Sequence, residues 1–337
     1  MEADDESKSV NEAKNKNSTL QTTCRLPDLP RLTIEEAFND YLGRRSAIIK
    51  ALTTDVDELL RQCDPEKPEV CLYGLQDGEW KVEPPVELLP SDKPEPTAGI
   101  NWGRTHTELD EWLLYVALHS EAWLISFALH SSQNRSDREN LFKMINELPT
   151  VTDVVDQFVT TNEELKFREG FKNKHFTTVT EAESTPLVAA ETVEEVFKDF
   201  AGRRAAIVKA LTTDVEEFVR QISEREKEKC LYGHADGEWE LREATNGEMT
   251  CRNRDPTVGI NFGIEGIPLI QWLRLVAIHS DAWLISTAFH NPSHTHFRKL
   301  DRERLFDMIN DLPTRNTRKK SFGFVVIIVR LGIMVNV

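Results

Sequence analysis

Cysteines are few, and negative charges outnumber positive charges, in this sequence of 337 residues. The five cysteines are an odd number at scattered spacings, which excludes a disulfide framework and favours a reducing compartment. The 41 Lys and Arg residues are outnumbered by 57 Asp and Glu residues, which leaves a net charge of −16. Because phosphate binding requires dense positive charge, this balance argues against a protein that coats nucleic acid over its whole surface, although a local basic patch stays compatible with it.

Sequence patterns for nucleotide binding and secretion are also missing. Neither G-x-x-x-x-G-K-[ST] nor G-x-G-x-x-G occurs, so no Gly-rich phosphate loop is predicted. Residues 1–30 are polar and lack the apolar core of a secretory signal, so we expect a disordered acidic and polar tail. A hydrophobic content of 39%, with seven Trp and sixteen Phe, is sufficient for folded cores. The composition therefore predicts an intracellular protein with folded domains.

The strongest positive feature is an internal duplication. The segment 33–38 recurs 159 positions later at 192–197, and Cys-Leu-Tyr-Gly at 71–74 recurs at 230–233. This period far exceeds the roughly 20–50 residues of a solenoid repeat, so each copy is expected to be a complete domain. The predicted boundaries are 31–155 for copy 1, 156–189 for a polar linker, 190–314 for copy 2, and 315–337 for a basic and then apolar tail.

Helix signals dominate each copy. A Thr-x-x-Glu capping box predicts a helix start at Thr33 and again at Thr192. Gly43 is expected to break the first helix, while an Asp-Gly pair within 71–82 predicts a short hairpin. The predicted fold is mainly α, or α+β with a small β-hairpin, built as two tandem copies of one helical domain with disordered termini and linker.

The most apolar segment, about 110–130, predicts a central buried helix in copy 1 and a matching helix in copy 2. Aromatic and histidine side chains recur along one stripe of this helix. The residues predicted to form the structural core are Trp112, His119, Trp123, Trp272, His279 and Trp283.

Two patterns suggest catalysis or metal binding, but helix geometry and ligand spacing argue against both. Residues 119–121 (His-Ser-Glu) and 279–281 (His-Ser-Asp) resemble a hydrolase triad, but neighbours on a helix point in different directions, so packed histidines are expected instead. The histidines at 290, 294 and 296 form a loose cluster with adventitious metal affinity at most, because a structural zinc site requires closely paired ligands. We therefore predict no enzyme activity, metal or cofactor.

The Gly-Arg-Arg turns are the candidate interaction residues. They contribute Arg44 and Arg45 in copy 1, and Arg203 and Arg204 in copy 2. Arginine pairs hold carboxylates or phosphates through planar bidentate contacts, so an acidic partner or DNA is one interpretation. Ion pairs with nearby carboxylates of the same domain are the structural alternative.

Longer stretches of copy 2 resemble a known family. The segment 202–218, from Gly-Arg-Arg-Ala to Val-Glu-Glu-Phe, is similar to the amino-terminal domain of the plant Alfin-like family of PHD-finger proteins. The match continues through Cys-Leu-Tyr-Gly at 230–233, Val-Ala-x-His-Ser-Asp-Ala-Trp-Leu at 276–284, and Arg-Leu-Phe-x-Met-Ile-Asn-Asp-Leu-Pro-Thr at 304–314. Copy 1 resembles the family somewhat less closely.

The resemblance implies a nuclear, chromatin-associated transcription regulator. In this family the amino-terminal domain contacts other chromatin regulators and domains of its own kind, DNA binding is ascribed to some members, and a PHD finger binds histone tails trimethylated at lysine. This chain departs from that pattern: it has two amino-terminal domains, polar residues replace an aromatic stretch after the tryptophan helix, and no Cys or His follows Thr314. The PHD finger is therefore expected to be absent, and no histone-binding residue can be assigned.

The tail leaves three interpretations open. Residues 315–320 are basic and could serve as a nuclear signal, whereas 322–337 are apolar apart from Arg330. They are a read-through or mispredicted gene end, a packed or disordered extension, or a membrane tail anchor, and the length falls short of the about 20 residues that a span requires. No membrane association is expected.

The sequence thus predicts a non-enzymatic regulator of transcription that acts in the nucleus through protein–protein interaction. The expected partners are other chromatin regulators and Alfin-type domains. The alternative is a DNA-binding transcription factor that uses the Gly-Arg-Arg turns, and the least favoured hypothesis is a hydrolase using His119 or His279.

Overall fold

The structure is a computed structural model, and it describes residues 32–85, 94–105, 107–131, 135–162, 192–222, 227–243, 256–261, 267–290 and 297–312. All of these residues belong to one compact unit. The predicted tails, the Cys residues at 24 and 251, and the histidine cluster in the second copy lie outside the described residues or, for His290, outside the described side chains.

Both copies contain four helices in the same order around one antiparallel hairpin, and copy 1 adds a 3-10 turn and a fifth helix within the described residues. Copy 1 comprises α1 (Ile34–Thr53), α2 (Val56–Gln62), β1 (Cys71–Gly74), β2 (Trp80–Glu83), a 3-10 turn (Trp102–Thr105), α3 (Leu109–Ser131), α4 (Arg135–Asn146) and α5 (Val151–Thr161). Copy 2 comprises α6 (Val193–Leu211), α7 (Val215–Ile222), β3 (Lys229–Gly233), β4 (Trp239–Glu243), α8 (Leu269–His290) and α9 (Lys299–Asp311). The predicted mainly helical fold, made twice, is confirmed.

The predicted capping box starts the first helix of each copy. Thr33 Oγ1 accepts a hydrogen bond from the Glu36 amide at 3.1 Å, and the Glu36 carboxylate accepts one from the Thr33 amide at 2.7 Å. Thr192 and Glu195 make the same reciprocal pair in copy 2. Two amides without intrahelical partners are satisfied at each helix start, which fixes where α1 and α6 begin.

The hairpin also forms as predicted. β1 pairs with β2 in a register that runs from Cys71 opposite Glu83 to Gly74 opposite Trp80. Gly78 has a φ of 86°, a left-handed conformation that an Asp-Gly turn supplies without steric cost. Copy 2 repeats the hairpin, with Gly237 at a φ of 88°.

The predicted helix break at Gly43 is wrong. α1 continues through this position without interruption. A Cβ atom at Gly43 would clash with the backbone carbonyl of Gln76 in the hairpin turn, and one at Gly202 would clash with that of Ala235. The glycine is therefore required because the hairpin lies directly against the helix, and the adjacent arginines lie on a helix rather than in a turn.

The last helix of copy 1, α5, extends beyond residue 155, where copy 1 was predicted to end. α5 begins at a capping box formed by Thr150 and Asp153, and it continues into the segment expected to be linker. Val151, Val155 and Val159 lie at i, i+4 and i+8, are buried, and pack the helix onto α1 and α3. The polar residues between them gave the segment the composition of a linker, although its apolar stripe is that of an amphipathic helix.

The apolar helices α3 and α8 form the centre of the protein. The six predicted core side chains are all buried: Trp112, His119, Trp123, Trp272, His279 and Trp283. The indole N–H of Trp112 donates to the Ile100 carbonyl at 2.8 Å, and that of Trp272 donates to the Ile260 carbonyl at 2.9 Å. Each tryptophan thus anchors the loop before its helix.

Residues 109–130 of α3 form a helix long and apolar enough, by length and composition alone, to span a membrane. Most of the helix is buried inside the protein, where it packs against α1, α5 and α8. Burial on several sides accounts for its apolar composition, because a central helix requires apolar residues on more than one face.

The two copies also pack against each other. α3 of copy 1 contacts α8 of copy 2, and α4 contacts α9. The sequence predicted two domains joined by a linker, with domains of the same kind among the expected partners, but it did not indicate which helices would meet.

Candidate functional site

The first arginine of each Gly-Arg-Arg segment ties its helix to the hairpin of the same copy. Arg44 forms an ion pair with Asp40 at 2.8 Å and donates to the Gly74 carbonyl at 2.9 Å. Its guanidinium carbon also lies 4.3 Å from the centre of the Phe127 ring. The side chain is therefore held by α1, the hairpin and α3.

In copy 2, Arg203 repeats the ion pair and the carbonyl hydrogen bond of Arg44, whereas the second arginine of each copy has different surroundings. Arg203 pairs with Asp199 at 2.5 Å and donates to the Gly233 carbonyl at 3.2 Å. Arg45 donates to the Pro149 carbonyl at 2.5 Å, and Arg204 lies close enough to Arg138 to contribute to the lowered pKa of that residue. The ion pairs of Arg44 and Arg203 are those of the structural alternative. Binding of an acidic partner or DNA by the four arginines stays a prediction.

The histidine of the triad-like segment is separated from its acidic neighbour. His119 Nδ1 lies 3.3 Å from Thr97 Oγ1, whereas the Glu121 carboxylate accepts a hydrogen bond from the Val151 amide at 2.8 Å. The two side chains face different elements, as expected for positions two apart on a helix. Glu121 therefore does not act as the carboxylate behind the imidazole that a hydrolase triad requires.

The described cysteines are buried thiols. Cys63, Cys71 and Cys230 are 0% exposed, and burial raises the pKa of Cys63 to about 12. A thiol with so high a pKa stays protonated at neutral pH and is a poor nucleophile and metal ligand. Within the described ranges, no three His, Cys, Asp or Glu side chains come together as a metal site would require.

The most distinctive geometry lies between the copies, where α4 meets α9. The rings of Phe142 and Phe306 stack with centroids 4.0 Å apart and planes inclined by 6°. These two residues occupy equivalent positions in the repeat, at an offset of 164. The residues that meet here define the inter-copy face: Glu121, Arg135, Arg138, Phe142, Asn146 and Glu147 from copy 1, and Asp281, Lys299, Arg302, Phe306, Asn310 and Asp311 from copy 2.

Two hydrogen bonds across this face are related by exchange of the copies. Asn146 donates from its side-chain amide to the Lys299 carbonyl at 3.0 Å, and Asn310 donates to the Arg135 carbonyl at 3.1 Å. Asn146 and Asn310 are equivalent in the repeat, and so are Arg135 and Lys299. The inter-copy face therefore has an approximate twofold axis, like the isologous interface of a symmetric dimer.

Ion pairs at the rim obey the same symmetry. Lys299 Nζ lies 2.5 Å from Glu147, and Arg135 pairs with Asp311. All four side chains are substantially exposed, so each pair contributes at most about 1 kcal/mol to stability. The two pairs place charges of opposite sign next to each other on both sides of the approximate twofold axis.

The buried charges break the symmetry. Arg302 Nη2 lies 3.6 Å from Glu121 Oε1, and both side chains are largely buried. The equivalent residues Arg138 and Asp281 attract each other but do not reach ion-pair contact. Burial raises the pKa of Glu121, against the opposing effects of Arg302 and the Val151 amide, and burial lowers the pKa of Arg138. Asp281 is one methylene shorter than Glu121, which accounts for the missing ion-pair contact between Asp281 and Arg138.

Both halves of the chain match one known family. The Alfin family model matches residues 33–157 and 192–319, which together make up most of the chain. The chain belongs to the Alfin family. Its two Alfin domains correspond to the two structural copies, so the resemblance inferred from the sequence is confirmed.

Several plant proteins are similar to part of this chain. PHD finger protein ALFIN-LIKE 3 of Arabidopsis thaliana is 51% identical over 127 residues, which cover 36% of this chain and 51% of that protein. ALFIN-LIKE 7 of the same species is 42% identical over 166 residues, covering 46% of this chain and 66% of that protein. ALFIN-LIKE 9 of Oryza sativa subsp. indica is 46% identical over 127 residues, covering 36% and 46%. The chain spans about half the length of the curated relatives it matches.

The inter-copy face of the Alfin domains was missed by sequence reasoning. Phe142 and Phe306 fit the apolar stripe of an ordinary core helix, and nothing in the pattern separates packing within a domain from packing between domains. The available signal was Asn146 and Asn310, a polar residue repeated at a buried position directly after a buried isoleucine. A buried amide requires a specific partner, and that partner lies in the other Alfin domain.

Proposed function

We propose that this chain is a non-enzymatic, chromatin-associated regulator of transcription that acts in the nucleus by binding other proteins. The observation that carries the proposal is that an Alfin domain accounts for each half of the chain. The similar proteins are named as PHD finger proteins of the ALFIN-LIKE group. The proposal concerns the two Alfin domains, which are the parts of the chain that the family model matches.

Electrostatics favours protein partners over DNA. The net charge of −16 disfavours a non-specific grip on phosphates. Three of the four candidate arginines make contacts within their own copy: Arg44 with Asp40, Arg203 with Asp199, and Arg45 with the Pro149 carbonyl. Arginines engaged in this way would have to leave those contacts to bind a phosphate.

Chromatin association can be tested with the tagged full-length chain in plant cells. We expect the chain in the nuclear fraction, bound to chromatin, and co-purifying with chromatin proteins after the DNA has been digested with nuclease. Exclusion from the nucleus, or loss of every protein partner on nuclease treatment, would contradict the proposal.

Direct DNA binding is tested separately with the purified chain and naked duplex. We expect no binding at low salt. Tight binding that falls steeply with salt, and that is lost in Arg45→Glu with Arg204→Glu but retained in the matched exposed variant Lys143→Glu, would favour the DNA-binding alternative. Circular dichroism of each variant confirms that the fold is intact.

A further inference from the structure

The chemistry of the inter-copy face is the same on both copies. Equivalent positions carry Phe and Phe, Asn and Asn, Arg and Arg, Arg and Lys, or Glu and Asp. Pairing copy 1 with a second copy 1 would therefore again place an aromatic ring on an aromatic ring, an amide on a carbonyl, and a cation on a carboxylate. A face with this property is self-complementary, as a twofold interface must be.

Within one chain, however, each copy covers the face of the other. Phe142 and Phe306 are 0% and 1% exposed, and Asn146 and Asn310 are 4% and 2% exposed. The two copies belong to one polypeptide, and a tether of this kind typically gives its ends an effective concentration of about 1 mM. A second chain must reach that concentration before it competes with the copy already in place.

We propose that copy 2 covers the inter-copy face of copy 1 within the same chain (in cis), so that the intact chain does not dimerise through this face. Opening the cis pair exposes the face of copy 1, and its partner is then copy 1 of a second chain. The duplication thus turns a surface suited to dimerisation into an internal contact that controls dimerisation. The inference does not depend on the proposed nuclear function, because it concerns contacts within the chain.

The test opens the cis pair from the side of copy 2 and leaves copy 1 unchanged. The charged group of Arg302 interacts with Glu121 and Tyr41, both in copy 1. Arg302→Glu places like charges in a largely buried site, which is strongly unfavourable. In a pair of two copies 1, Glu121 instead faces Arg138, so that pairing is unaffected.

Light scattering coupled to size exclusion measures the result. We expect the wild-type chain at its monomer mass of 38.6 kDa, and Arg302→Glu at twice that mass in a concentration-dependent manner. Adding Arg138→Glu to Arg302→Glu removes the cation that Glu121 requires in the copy 1 pair, so this matched variant should return to the monomer mass. A dimeric wild-type chain, or a folded Arg302→Glu variant that stays monomeric at every concentration, would overturn the proposal.

A second variant, at the exposed rim of the inter-copy face, keeps the proposal testable if Arg302→Glu does not fold. Lys299→Glu with Asp311→Lys sets like charges against Glu147 and Arg135 while the core residues stay in place. We expect a smaller but measurable dimer fraction, which is abolished when Glu147→Lys and Arg135→Glu restore opposite charges across the cis pair. A dimer fraction that does not respond to this restoration would also contradict the proposal.

Discussion

The two Alfin domains are alike in most of the residues through which they touch and least alike in the segments that follow those residues. Their helices α4 and α9 meet through equivalent residues, whereas the segments that follow diverge. Copy 1 continues into α5, whose valines pack onto α1 and α3. At the aligned positions of copy 2, Val151-Thr152-Asp153 is replaced by Arg315-Asn316-Thr317, and those residues lie outside the described part of the chain.

A second difference lies inside the shared face. Glu121 reaches Arg302 and also accepts a hydrogen bond from the first residue of α5, whereas Asp281 stays short of Arg138. The comparison teaches that the pairing is held by what the copies share, mainly the stacked rings and buried amides. The charged residues also contribute to the pairing, but their contribution differs between the Glu121–Arg302 pair and the equivalent Asp281 and Arg138.

Removing the stacked rings should have the largest effect. Phe142→Ala and Phe306→Ala should each lower the free energy of unfolding by about 3–5 kcal/mol, because each leaves a cavity in a fully buried site. The double variant should cost less than the sum, since both changes remove the same stacked contact. Urea unfolding measures all three, and additive effects would show that the rings do not share one site.

Adding one methyl group where α1 packs against the hairpin should have the second-largest effect on the free energy of unfolding. Gly43→Ala should lower the free energy of unfolding by about 1–3 kcal/mol, because its Cβ meets the backbone of Gln76. Helix propensity alone predicts the opposite sign, a gain of about 0.5–1 kcal/mol. Gly202→Ala should behave alike in copy 2, and Ser46→Ala, at an exposed position of the same helix, should be neutral or slightly stabilising. A stabilising Gly43→Ala would refute the close approach.

Lengthening the short carboxylate should make the two copies more alike. Asp281→Glu should raise the free energy of unfolding by about 0.5–1 kcal/mol, because the longer side chain can reach Arg138 as Glu121 reaches Arg302. The mirror variant Glu121→Asp should be destabilising, since it shortens the contact to Arg302 and weakens the bond from the Val151 amide. Thermal unfolding of both variants would contradict this account if the two changes had the same sign.

The smallest effect on stability is expected at two carboxylates, Glu69 from copy 1 and Glu228 from copy 2. Burial, and secondarily the nearby Glu228, raise the pKa of Glu69. The folded protein therefore binds this proton more tightly than the unfolded chain, so the linked stability is complete below the ordinary glutamate pKa of about 4.3 and is lost as the pH rises through the raised value. Glu69→Gln should raise the melting temperature slightly at neutral pH and leave it unchanged in acid. An equal gain at both pH values would show that titration is not the cause.

Local features of the fold were predictable from the sequence. The capping boxes at Thr33 and Thr192 and the Asp-Gly turn of the hairpin depend on residues within a few positions of one another. Gly43 was misinterpreted because a glycine that breaks a helix and one that admits a neighbouring backbone look the same in sequence. α5 was missed because its exposed polar residues dominate its composition, although Val151, Val155 and Val159 carry the helical period.

Long-range features of the candidate site were not predictable. The Gly-Arg-Arg residues were identified as conspicuous charges, but their partners, such as Asp40 and the Gly74 carbonyl, depend on how the hairpin packs on α1. The inter-copy face requires residues that are 164 positions apart to meet, and helical periodicity gives the buried side of α4 without saying which helix covers it.

Zero-length carbodiimide cross-linking tests the central claim, that the two Alfin domains pair within one chain, most directly. The reagent joins an amine to a carboxylate in direct contact, and Lys299 Nζ lies 2.5 Å from Glu147. We predict a cross-linked peptide joining these two residues in the monomeric fraction of the full-length protein, and its loss in Glu147→Gln. Absence of this cross-link from the wild-type monomer, or its appearance in a dimeric fraction alone, would contradict pairing in cis.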